Sequence, residues 1–282
     1  MRLLLAVLAA GLVAVAGAPV AARGDDAGDR CDTFSITFGV PSPPALRPYS
    51  FWPEFDAMSS DRQVWSAAAN AATAILPWPR RTPPRVLRVE WMAALIGAAA
   101  RDDVLGESRG DSVRLRRCVD DPLRDAFRAG HECAHFLLAV RYGHTLPLWL
   151  DEGMAQLVGY RAAEAYARPQ HLNVQRKPLA DWEDAAFSLD ELTSMTDYPK
   201  SPKDVAAFYW QASMLVRALH ARLGVAAFDA YMAALAAQSD GADWKEPLRR
   251  QCYFIDSDFD WLETQIQPDA PPSPHYSAAW VL

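Results

Sequence analysis

The spacing of apolar positions changes several times along the chain, and each change marks an element. Leu3 to Ala18 is an unbroken apolar and glycine run, followed by small residues and then the charged cluster Arg23-Gly24-Asp25-Asp26. Residues 23–50 are polar and proline-rich, with Pro41, Pro43, Pro44 and Pro48, and read as an extended arm. From Asp61 to Leu76, Val64, Ala68, Ala72 and Ile75 recur at helical spacing. Pro77, Pro79, Pro83 and Pro84 then interrupt the chain. Arg85 to Trp91 sets Val86, Leu87, Val89 and Trp91 among Arg and Glu, the pattern of a half-exposed strand. Val104 to Cys118 places Gly106 and Gly110 at a turn, then Val113 and Leu115 between arginines, and predicts a second strand. The N-terminal half therefore predicts a small antiparallel or mixed sheet with helices.

Beyond Asp121 the period becomes helical. Asp121 suits an N-cap and Pro122 the first helical position, with Leu123, Phe127, Phe136, Leu137 and Val140 as apolar stripes. Gly143 is a natural stop. A second helix is expected to start near Leu150 or Asp151, a third over Val205–Leu223 ending at Gly224, and a fourth over Ala226–Ala237. The resulting class is α+β, with a helical C-terminal lobe. Residues 51–266 form one main domain and 267–282 a loosely held tail.

The N-terminal run adds a destination. A positive start at Arg2, an apolar stretch and small residues before the first charges are the layout of a secretory signal peptide over residues 1–22. The run is shorter than the ~20 residues a spanning helix needs, so no stable membrane anchor is expected after cleavage. The expectation is a secreted or periplasmic chain. A net charge of −7 argues against nucleic acid or an anionic membrane surface as partner, since both select basic patches. Arg114-Leu-Arg-Arg117 is too short to change this. Four cysteines, Cys31, Cys118, Cys133 and Cys252, are an even number in an exported chain, so one or two disulfides are expected, with Cys133 a buried thiol or one end of a bridge.

The chemistry concentrates in His131-Glu132-Cys133-Ala134-His135, an HExxH motif on the helix that begins at Asp121. Residues four apart share a helix face, so both imidazoles can reach one metal ion while Glu132 lies beside it. After Gly143 the chain reads Leu148-Trp149-Leu150-Asp151-Glu152-Gly153-Met154-Ala155. The interval from His135 is long enough for a loop and the start of an antiparallel helix, which returns a carboxylate, Asp151 or Glu152, to the histidines. Two histidines and one carboxylate leave the fourth zinc position open, as a catalytic site requires.

HECAH followed by LWLDEGMA resembles the gluzincin metallopeptidases, and within them the compact peptidase MA-like domains; the aminopeptidase N-like family is a more distant likeness. The resemblance implies a zincin-like fold, zinc held by His131, His135 and Glu152, and Glu132 as general base. It implies a peptide or protein as substrate. Gluzincins often place a Tyr or His from a downstream helix on the oxyanion, and the resemblance suggests Tyr209, for which a packed helix tyrosine is the alternative. His144, His171 and His220 are weaker candidates. No segment like Gly-Ala-Met-Glu-Asn precedes the HExxH, so aminopeptidase activity is not implied.

Two other readings compete. A catalytically degenerate member of the fold would act as a binding module. Gly106-Glu107-Ser108-Arg109-Gly110 matches the GxSxG of serine hydrolases, but that nucleophile elbow needs a buried strand before it and a helix after it. An edge strand over Val104–Leu115 is a candidate to pair with an extended peptide. The residue pattern leaves the oligomeric state and the cleavage preference open.

Overall fold

The computed structural model describes residues 33–38, 59–77, 79, 82–83, 85–92, 106–116, 121–143, 145–172, 174, 183–238 and 243–268. The expected signal peptide, most of the arm, Cys31, Cys118 and the tail beyond Pro268 lie outside them. Contacts group the chain into two compact units, residues 1–137 with 159–172 and residues 138–158 with 173–282. The fold class is α+β.

The first unit contains a four-stranded mixed sheet of β1 (Thr33–Phe38), β2 (Arg85–Met92), β3 (Gly106–Arg109) and β4 (Ser112–Arg116). Their spatial order is β1-β2-β4-β3. β1 runs antiparallel to β2, β2 parallel to β4, and β4 antiparallel to β3. The alternation read from the sequence has a physical outcome: Leu87, Val89, Val113 and Leu115 are fully buried while Arg85, Val86 and Arg88 face water. β1 corrects the extended-arm expectation. Ile36 pairs with Leu87 and is buried, Phe38 is completely buried, and its ring lies 5.3 Å from Phe136. The period of two in TFSITF outweighs the prolines that follow it.

Within the predicted Val104–Cys118 strand, the described residues 106–116 form a hairpin turning at Gly110 (φ +59°) and Asp111. Among the described residues β1 and β3 are the two edges of the sheet, and β4 is held on both sides. The GxSxG sequence forms β3 itself, with Ser108 opposite Val113, and a strand follows it. The strand-turn-helix context of a nucleophile elbow is absent, which removes the structural basis for a serine hydrolase.

Helix α1 (Ser59–Ile75) buries Val64, Ala68 and Ala72 in the same unit. Helices α2 (Pro122–Tyr142) and α3 (Leu148–Ala167) carry the motif residues. The second unit adds α4 (Leu189–Ser194), α5 (Pro202–Ala236), α6 (Lys245–Cys252) and α7 (Asp256–Ile266). α5 changes direction at Gly224 (φ +73°, ψ 166°), where the sequence predicts one helix ending and another beginning. Buried Gln211 fastens this unit: its side chain donates to Phe187 O (2.8 Å) and Ile266 O (3.1 Å) and accepts from Phe187 N (2.8 Å). No described helix is long and apolar enough to cross a membrane.

Cys133 is a buried free thiol and Cys252 a half-buried one, so neither of the expected bridges forms through them. Burial, then the charge of Glu132, holds the Cys133 thiol well above the usual thiol range, which keeps it protonated and inert.

The start of α2 supplies a measurable consequence. The Asp121 carboxylate accepts from Arg124 N at 3.0 Å, satisfying a first-turn donor. Asp121→Ala should destabilise the chain by about 1 kcal/mol, read as a drop of about 2–4 °C in the thermal midpoint. An unchanged midpoint would show that the cap bond contributes nothing in solution.

Candidate metal centre

The site is assembled on two successive helices joined by a short loop. α2 is started by Asp121 and Pro122 and stopped by Gly143 at φ +71°. Between these signals, the four-residue interval puts His131 and His135 on one face, with their Nε2 atoms 3.1 Å apart and ring centroids 4.7 Å apart. The opposite face is core: Cys133, Ala134 and Leu137 are fully buried. Phe127, one turn earlier, lies 6.3 Å from the His131 ring and meets the Tyr160 ring edge-on at 4.9 Å.

α3 begins at Leu148, two residues before the earliest predicted start. Pro147 O accepts from both Leu150 N (2.9 Å) and Asp151 N (3.0 Å), so the proline supplies the first helical carbonyl. Trp149 and Leu150 are fully buried. This turn carries Glu152, which is only 2% exposed. Ligand atoms from His131, His135 and Glu152 all lie within 4.8 Å of one another, a group that could hold a metal ion. Asp151 is not part of that group; it lies in the first turn of α3, half-buried, where a negative charge complements the helix dipole.

The donor set fits a zinc ion. Two imidazole nitrogens on one tetrahedral zinc, each at about 2.0–2.1 Å, stand about 3.3–3.4 Å apart, close to the 3.1 Å seen between His131 and His135. Glu132 is 8% exposed and adjacent in sequence to His131. Two buried carboxylates, Glu132 and Glu152, bring concentrated negative charge to the site, which a bound cation would offset.

The remaining candidates are distributed as follows. Tyr209, on α5, is half-buried and packs against the rings of Phe208 (5.6 Å) and Tyr198 (6.3 Å). His171 caps a short 3-10 turn in the left-handed region, and His220 packs edge-on against Phe228 at 5.4 Å. His144 lies outside the described residues.

Tyr198 was not legible in the sequence. It sits in the segment between α4 and α5, and its hydroxyl donates to Glu152 Oε1. Burial, then the negative charge of Glu152, raises its hydroxyl far above the usual phenol range, so it is a neutral donor at any working pH. The available signal was indirect: Ser201-Pro202 is a helix start, with Ser201 accepting from Asp204 N at 3.0 Å. That start places Tyr198 in the loop a few residues before α5.

No family model, curated protein or solved structure matches the chain.

Proposed function

We propose that this chain is a mononuclear metal-dependent hydrolase. More particularly, it is read as an exported zinc peptidase of the gluzincin type, with a zincin-like fold and a peptide or protein as substrate. The observation that carries the proposal is the convergence of His131, His135 and Glu152 within 4.8 Å beside a buried Glu132.

His131, His135 and Glu152 would hold the zinc ion, which when bound would supply Lewis acidity to a scissile carbonyl and acidity to an attacking water. Glu132, one position round the helix from His131, is assigned the general-base role: it would accept the water's proton and return it to the leaving amine nitrogen. The tetrahedral oxyanion needs a donor, and Tyr209 is assigned that role. The burial of Glu132 and Glu152 excludes bulk water from their carboxylates, which strengthens every charge interaction in the site. An extended substrate can add its backbone to β3, an edge of the sheet among the described residues.

The test is Glu132→Gln. The variant is expected to keep zinc and lose about 10²–10⁴-fold in peptide hydrolysis, the range for removing a general base. If wild type and variant are equally inactive on a broad peptide library while both hold zinc, the chain is a binding module of the same fold.

A further inference from the structure

We propose that Tyr198 is a positioning residue of the metal centre: its hydroxyl holds the Glu152 carboxylate in the orientation that completes the ligand set with His131 and His135. The inference rests on the metal-centre reading and deepens it, because it concerns how the third ligand is presented to the ion.

Glu152 differs from the histidines in what it needs. His131 and His135 are set by one helix and a four-residue interval, and their nitrogens are already 3.1 Å apart. Glu152 comes from another helix, on a side chain with three rotatable bonds ending in a carboxylate. Its backbone position alone does not fix where its oxygens point. The Tyr198 hydroxyl does, by donating to Oε1. A carboxylate offers about four lone-pair sites, so accepting one phenol proton leaves it able to bind a cation.

Tyr198 is 49% exposed, and the buried part of its ring rests on two aromatic neighbours. Its ring meets Phe208 edge-on at 6.1 Å and Tyr209 at 6.3 Å, and Phe208 is completely buried. The segment that carries it is bounded by two capped helices. Upstream, Ser188 and Glu191 close a capping box on α4, and Gln211 clamps Phe187. Downstream, Ser201 caps α5. A phenol held this way donates to one carboxylate oxygen and so fixes the direction in which the carboxylate points. Groups that orient a ligand from behind in this manner typically change metal affinity 10–100-fold when removed.

A competing effect has the opposite sign. The hydrogen bond draws charge from the carboxylate and lowers its strength as a donor. If that dominated, Tyr198 would hinder the metal. Orientation is expected to win, because the bond fixes a flexible side chain that must otherwise be ordered by the ion itself.

The experiment uses the full mature chain with zinc alone, titrated against a chelator of known affinity. Tyr198→Phe removes only the hydroxyl and keeps the ring contacts, and its apo form should melt at the wild-type temperature. Zinc affinity is expected to fall about tenfold or more, equivalent to about 1.4 kcal/mol, and cobalt substituted for zinc should give a shifted visible spectrum. Tyr253→Phe, at an exposed tyrosine on the α6–α7 connection, should leave both unchanged. In a Glu152→Gln background, adding Tyr198→Phe should cause no further loss. Equal or tighter zinc binding by Tyr198→Phe overturns the positioning role while leaving the metal centre standing. Failure of the wild-type chain to bind zinc removes both.

Discussion

Zinc is expected to fall from about one ion per chain to none when either His131 or His135 is replaced by alanine. Structural zinc sites bind with apparent free energies of about 10–16 kcal/mol spread over four ligands. Loss of one imidazole from a three-residue set therefore removes several kcal/mol, a change of at least about 10³-fold in affinity. The two substitutions should be equally severe, because the two Nε2 atoms face the same point from one helix face. Both histidines are only half-buried, so alanine there leaves little cavity and the apo variants should stay folded. Metal content after dialysis against a buffer holding free zinc in the low nanomolar range is the measurement. A histidine variant that still carries stoichiometric zinc would refute the ligand assignment. A wild-type chain that carries none, with its thiols protected, would reduce HECAH to a coincidence of a packed helix.

The parts of the site differ in how locally the sequence specifies them. His131, Glu132 and His135 were legible because a helix converts sequence spacing directly into geometry, and the helix ends were written in Asp121, Pro122 and Gly143. Glu152 was legible from order and interval, although the residue pattern alone left Asp151 open as a rival. The distinction is rotational. Successive helix residues differ by about 100° in direction, and the ligand group includes Glu152. Tyr198 was not legible, because nothing periodic marks a loop tyrosine whose partner is on another helix. Tyr209 was suggested by the resemblance, which implies a tyrosine on a helix downstream of the glutamate.

The fold shows a parallel division. β2, the β3–β4 hairpin, α1, α2 and the break in α5 at Gly224 follow from alternation, helical period and glycine. β1 was hidden by the polar residues before it and the prolines after it, although Ile36 and Phe38 supply a buried alternation. α6 was hidden because Pro247 suggests a turn, while a proline in the first turn of a helix gives up only a donor that lacks a partner there. α7 buries Phe259, Leu262 and Ile266 at spacings of three and four, a short stripe that becomes decisive only when α5 is there to receive it.

Gly153→Ala is expected to be the most destabilising single-methyl change in the motif, and the reason lies in α5. In an exposed helix interior, replacing glycine by alanine stabilises by about 1 kcal/mol. At Gly153 a Cβ would stand 2.5 Å from the Ala212 carbonyl oxygen and 2.5 Å from a methyl of Val216. Both distances are well inside van der Waals contact, and the first obstacle is backbone, so no rotamer change relieves it. The two helices must separate. Overpacking of this kind costs about 1–3 kcal/mol and occasionally more, and a backbone obstacle belongs at the upper end. The net effect should be a loss of about 2 kcal/mol, which lowers the thermal midpoint by about 4–8 °C in a chain of this size. The displacement also moves the neighbouring Glu152, so zinc affinity should weaken along with stability. That pairing distinguishes the mechanism: Asp121→Ala lowers the melting temperature with no change in zinc affinity, whereas Gly153→Ala lowers both. A Gly153→Ala chain that melts higher than wild type would mean that α3 and α5 do not approach this closely. It would also remove the physical reason for a glycine to follow Glu152.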